Sequence, residues 1–95
     1  MDPQVTIAQL GGNKFRAMTG VRGFTFDPST SELSFRLPNP KVNHVRITLN
    51  GNDLYDIKFG RIRKSTYKVV ETVEDVYAEN LQDVFTRVTG LRTTL

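Results

Sequence analysis

The sequence predicts an α+β domain: an antiparallel sheet of about four to five strands, with a short N-terminal helix and a C-terminal helix packed on one face. Three observations carry this. Helix-start and helix-stop residues bracket the first twenty positions, apolar residues alternate with a period of two from Gly23 to Val69, and helical spacing takes over from about Asp75. At 95 residues the chain fits one compact domain, 1–95, and leaves no room for a second.

At the N-terminus, Asp2 is placed to cap a helix and Pro3 to occupy its first position, where a missing N–H costs nothing. Ile7 and Leu10 lie three apart on one face, and Gly11-Gly12 ends the helix. Asn13 is expected to cap a second short turn, Lys14 to Thr19, which offers Phe15 and Met18 to the core and stops at Gly20.

Phe24 and Phe26, then Leu33, Phe35 and Leu37, alternate with polar residues on either side of Asp27-Pro28-Ser29-Thr30. For both sets to share a face, Phe26 must oppose Leu33 and Phe24 must oppose Phe35, which requires an even loop. Pro38-Asn39-Pro40 breaks the pairing. Val45, Ile47 and Leu49 then pair with the return run Tyr55, Ile57 and Phe59. Asn50-Gly51 has the composition of a two-residue turn, but that register sets Val45 against Asp56. A three- or five-residue loop, with Gly51 or Asn52 left-handed, keeps apolar residues opposite one another, and a slip of one residue would turn the strand inside out.

Beyond Phe59, Arg61 and Arg63 share the parity of the buried side chains. A bulge at Gly60 would return Ile62 to the core and turn both arginines outward. Tyr67 and Val69 continue the last strand. Tyr77, Leu81, Val84, Phe85 and Val88 follow helical spacing, Gly90 is the stop, and Leu91 closes the end hydrophobically. Glu74, Asp75 and Glu79 fall in the first turns of this helix, where its dipole favours negative charge.

Composition excludes several classes of function. Without cysteine there are no disulfides, thiolate metal sites or cysteine nucleophiles. No apolar stretch has the length of a membrane span or the h-region of a secretory signal. His44 is the sole histidine, on the solvent side of a strand beside Arg46, with no nucleophile tied to it by spacing. Asp53 and Asp56, with Asn50 and Asn52, serve a turn; their spacing is not that of a calcium loop. Gly11-Gly12 follows no strand and precedes no Gly-Lys-Ser/Thr, so it is a helix stop and not a phosphate loop. No catalytic constellation, metal site or cofactor is expected, and the chain reads as a non-enzyme.

Charge is the informative feature. The overall +3 conceals a net +5 in residues 41–68, followed by −3 in residues 69–95. Arg61-Ile62-Arg63-Lys64-Ser65-Thr66 puts three cations and two hydroxyls in six residues, and guanidinium forks and hydroxyls suit phosphate oxygens. Lys58, Lys68 and Arg46 extend this patch across the exposed sheet face, with Tyr67 the one aromatic nearby. The patch is expected to grip nucleic-acid backbone and not to read bases. The competing structural reading is a solvated strand edge whose positive charge discourages further pairing.

Gly11-Gly12-Asn13-Lys14-Phe15, Ala17-Met18-Thr19-Gly20, Ile47-Thr48-Leu49-Asn50-Gly51, Asp53-Leu54-Tyr55-Asp56, Phe59-Gly60-Arg61 and Val76-Tyr77-Ala78-Glu79-Asn80-Leu81 through Thr89-Gly90-Leu91, taken in order, resemble a group of small phage and prophage proteins. The resemblance runs over most of the chain and implies a phage setting, hence the cytoplasm of a bacterial host. It carries over no site residues. In that setting the leading expectation is an accessory protein that binds nucleic acid or a host nucleoprotein through Arg61, Arg63, Lys64, Lys58, Lys68 and Arg46. The alternative is an inhibitor of a bacterial defence complex, of anti-CRISPR or anti-restriction type, acting by protein–protein contact. A membrane partner is not expected, and a homodimer is left open.

Overall fold

A computed structural model describes residues 1–91 and Thr93. Two short helices, α1 (Pro3–Leu10) and α2 (Gly12–Thr19), lead into five strands: β1 (Arg22–Asp27), β2 (Glu32–Arg36), β3 (His44–Leu49), β4 (Tyr55–Arg63) and β5 (Thr66–Val76). A 3₁₀ turn (Ala78–Asn80) then opens α3 (Leu81–Thr89). The strands form one antiparallel sheet in the order β1-β2-β3-β4-β5, each paired with its neighbour in sequence. The helices cover one face, so the fold is α+β as the sequence predicts.

Asp2 caps α1 by accepting a hydrogen bond from the Gln4 N–H at 3.0 Å, with Pro3 at the first position. Ile7 and Leu10 are buried, and Gly11 ends the helix. Helix α2 starts earlier than expected, at Gly12, and without a side-chain cap from Asn13. It buries Phe15 and Thr19 and leaves Met18 37% exposed, correcting the expected core role of Met18. The Thr19 hydroxyl donates to the Phe15 carbonyl at 2.7 Å, which lets a polar side chain lie inside.

The core joins these helical residues to the inward parity of the strands: Leu33, Phe35, Val45, Ile47, Tyr55, Ile57, Phe59 and Val76, closed by Leu81 and Phe85 of α3. Phe15, Phe35 and Phe85 form an aromatic cluster with centroids 5.2 to 6.4 Å apart, binding α2, β2 and α3 together. The Tyr55 hydroxyl donates to Gln9 Oε1 at 2.6 Å and lies 3.1 Å from Thr6 Oγ1, so the polar end of a buried ring fastens α1 to the sheet.

Register follows the parity argument in both early hairpins. Phe26 opposes Leu33 across the four-residue loop 28–31, and the Phe24 ring lies 5.3 Å from that of Phe35. Val45 opposes Phe59 and Ile47 opposes Ile57 across the five-residue loop 50–54. The left-handed residue of that loop is Asp53, with φ 58°, and not Gly51 or Asn52.

Two expectations at the C-terminal end are corrected. The bulge near Gly60 belongs to β5, where Val70 is the extra residue between Val69, opposite Gly60, and Glu71, opposite Phe59. β4 therefore keeps a regular alternation. Ile62 goes to the outer face and is only half-buried there, while Arg61 and Arg63 keep the parity of Phe59. Both arginines are nonetheless exposed, because the helical layer ends at Phe59: its partner Glu71 is ion-paired with Arg87 of α3 at 3.1 Å, and the hairpin continues beyond. The helix also begins later than expected. Glu74 and Asp75 lie in β5, Tyr77 is 56% exposed, and Asp83 is the acidic residue in the first turn of α3. Gly90 ends α3 in the left-handed conformation, as expected.

Candidate nucleic-acid interface

The predicted site residues divide between two faces. Arg61 stands directly opposite Lys68 and Arg63 directly opposite Thr66 in the β4–β5 hairpin, all on the helix-side parity. With Lys64 they line an open recess of about 450 Å³. Arg46 and Lys58 are also direct cross-strand partners, on the outer face of the sheet. The structure thus brings Arg61, Arg63, Lys64 and Lys68 together and sets Arg46 and Lys58 apart from them, behind the sheet.

Like charges directly opposite each other destabilise a sheet, by a few tenths of a kcal/mol to about 1 kcal/mol for each pair. Arg61–Lys68 and Arg46–Lys58 are two such pairs, and among the described residues the single ion pair is Arg87 with Glu71. Lys64 adds a second cost. It is the first residue of the two-residue turn between Arg63 and Thr66, with φ 58°, where a side chain other than Gly, Asn or Asp loses about 1 to 2 kcal/mol.

Edge protection accounts for Lys68 alone among these cations. Beyond Gly60, β4 loses its β3 neighbour, but Asn43 substitutes for it. Its Oδ1 accepts from the Ile62 N–H and its Nδ2 donates to the Ile62 carbonyl, each at 2.7 Å. The free side of the β4 extension is closed by an amide. Only Lys68 lies on the true edge strand, β5.

On the outer face, the Tyr67 ring packs against Gly60, which is the reason for glycine there: a Cβ would meet the ring at 2.4 Å. Arg46 lies over the ring with its guanidinium carbon 4.9 Å from the centroid, a cation–π contact. His44 meets the ring edge-on at 5.7 Å. Tyr67 is therefore packed among Gly60, Arg46 and His44. The His44 Nδ1 and the Tyr67 hydroxyl are both buried without a hydrogen-bond partner. Burial holds the imidazole below its ordinary pKa of 6.5, and the charges of Arg46 and Arg36 push it the same way, so the ring is neutral at pH 7.

Two residues of this surface escaped the sequence reading. Arg22 and Arg36 are direct partners across β1 and β2, and they line a recess of about 280 Å³ with Leu37, Pro38, Asn43 and Ile62. Counted from Phe24, Arg22 has inward parity; the bulge at Gly23 between Arg22 and Thr25 turns it outward. Glycine within a strand was the available signal. Comparison with protein-family models, curated proteins and solved structures finds no match for this chain.

Proposed function

We propose that this protein is a non-enzymatic accessory protein, of the phage type, that binds the backbone of nucleic acid, free or within a nucleoprotein, through its cationic β4–β5 hairpin and the adjoining strands. The observation that carries this is the two pairs of directly opposed cations, Arg61–Lys68 and Arg46–Lys58, held against their repulsion with no carboxylate among the described residues ion-paired to any of them. A polyanion supplies the missing countercharge. The Tyr67 ring, packed against Gly60 and Arg46, favours backbone contact over base stacking, and α3 spends one face on the core, with its cation Arg87 paired to Glu71.

Such binding releases counterions. With about three to five phosphate contacts, log affinity for duplex DNA falls linearly against log salt, with a slope of about −3 to −4.5. A salt titration on two unrelated duplexes of equal length measures both slope and sequence preference, which is expected to be weak. Strong discrimination between the duplexes, or no binding at about 50 mM salt, rejects the reading. In the second case the defence-inhibitor alternative takes its place. Pull-downs with and without nuclease then test that alternative, since a partner held by protein contact survives digestion.

A further inference from the structure

The outer face of the sheet sorts its charges by row. The first row across the strands reads Arg22, Arg36, His44 and Gly60; the second reads Thr25, Ser34, Arg46, Lys58 and Thr72. The third reads Asp27, Glu32, Thr48 and Asp56. Four cations thus occupy the half nearest the hairpin, and the carboxylates lie in the row below. No helix packs on this face, and the core lies wholly on the other. The proton affinity of His44 is lowered first by burial and then by the charges of Arg46 and Arg36, against an opposing pull from Glu32.

The Arg22–Arg36 pair has the same feature as the other two, cation directly against cation, and it also has a recess. Asn43 holds one side of that recess rigid through its two hydrogen bonds to Ile62, and Leu37 is buried behind it. The centre of this pair lies two strands and one two-residue step from the centre of the Arg46–Lys58 pair, about 12 Å on ordinary sheet spacings. One extended anion reaches both; a single small anion does not.

We infer that Arg22 and Arg36 form a phosphate-binding subsite on the open face of the sheet, and that the backbone of a nucleic-acid duplex lies across this face from their recess to Arg46 and Lys58. This rests on the backbone-binding reading and adds to it a face, two residues and a path. His44 sits between the two cation pairs and reports on the path. Around it stand Arg36 and Glu32 on β2, Arg46 on β3, Lys58 on β4 and Tyr67 on β5. A phosphate laid over Arg36 and Arg46 offsets their charge and stabilises the imidazolium, so the pKa of His44 rises on binding.

The experiment follows the imidazole of His44 by NMR across a pH series, with and without a short DNA duplex, and measures the salt slope of wild type, R22Q/R36Q and R61Q/K68Q. The expected result is an upward shift of the His44 titration in the complex, together with a slope shallower by about 1.8 in R22Q/R36Q, for two lost contacts. If the wild type binds but His44 does not move and R22Q/R36Q keeps the full slope, the inference is overturned while backbone binding through the hairpin stands. If the wild type binds no duplex, the underlying reading fails first. Should R22Q/R36Q misfold by circular dichroism, the His44 shift in the wild type decides alone. An RNA duplex run in parallel distinguishes the source of the phosphates.

Discussion

His44 shows how much of a residue's behaviour lies in its neighbours. Parity on β3 puts it on the outer face, and there it stands, but its environment depends on Tyr67, twenty-three positions along and two strands away. Its buried Nδ1 has no partner, so a proton placed there meets neither acceptor nor water. The folded chain therefore binds that proton less readily than the unfolded chain, whose imidazole has the ordinary value of 6.5. As pH falls through 6.5 toward the depressed folded value, the unfolded chain is protonated first and stability drops; above 6.5 the contribution vanishes. Thermal melts from about pH 7 to 5, above the ordinary carboxylate range, are expected to show a fall in wild type that is smaller in His44→Gln. Equal falls in the two proteins would remove the desolvated imidazole from the account. Gly60 belongs to the same scale. Its place in the sequence marked an irregularity, but its role is to admit a tyrosine ring, and cross-strand packing of that kind is non-local.

Elements were legible where local chemistry decides them. Asp2-Pro3 opens a helix, Gly90 closes one, and the even and odd loops of the first two hairpins follow from keeping apolar residues on one side. The boundary between β5 and α3 was not legible, for a physical reason. Bulges at Val70 and near Asp75 break the period of two, so the inward residues Glu71, Val73 and Val76 are spaced by two and then by three. A step of three imitates a helix and draws Tyr77 into the wrong element. The same device hid Arg22, one of the four outer-face cations, since the Gly23 bulge reverses its parity. Once α3 is underway its stripe is unambiguous. Phe85 is 1% exposed and meets Phe15 edge-on with centroids 5.2 Å apart. Phe85→Ala is expected to cost about 3 to 5 kcal/mol in chemical denaturation, because it opens a cavity where α2, β2 and α3 meet. A loss below about 1 kcal/mol would mean that α3 does not anchor the core.

At the scale of the whole molecule, one charge distribution governs both stability and binding, with opposite signs. Three pairs of directly opposed cations, Arg22–Arg36, Arg46–Lys58 and Arg61–Lys68, repel within the folded sheet and separate when the chain unfolds. Added salt screens repulsion between exposed charges over a Debye length of about 10 Å at 0.1 M. The melting temperature is therefore expected to rise with sodium chloride from low to moderate concentration, over the range in which affinity for duplex falls. Neutralising one member of a pair removes the repulsion permanently. Lys68→Gln is expected to stabilise the fold by a few tenths of a kcal/mol and to flatten the salt dependence of melting, while making the slope of duplex binding shallower by about 0.9. A control at Lys14, on the exposed surface of α2 and outside every cation pair, moves neither quantity. Melting measured against salt for these three proteins, beside their binding titrations, separates the alternatives. If Lys68→Gln loses stability and leaves binding intact, the opposed cations are structural, and the proposed function loses the observation that carries it. If it gains stability and loses affinity, the repulsion stored in the sheet is the counterpart of the anion it binds.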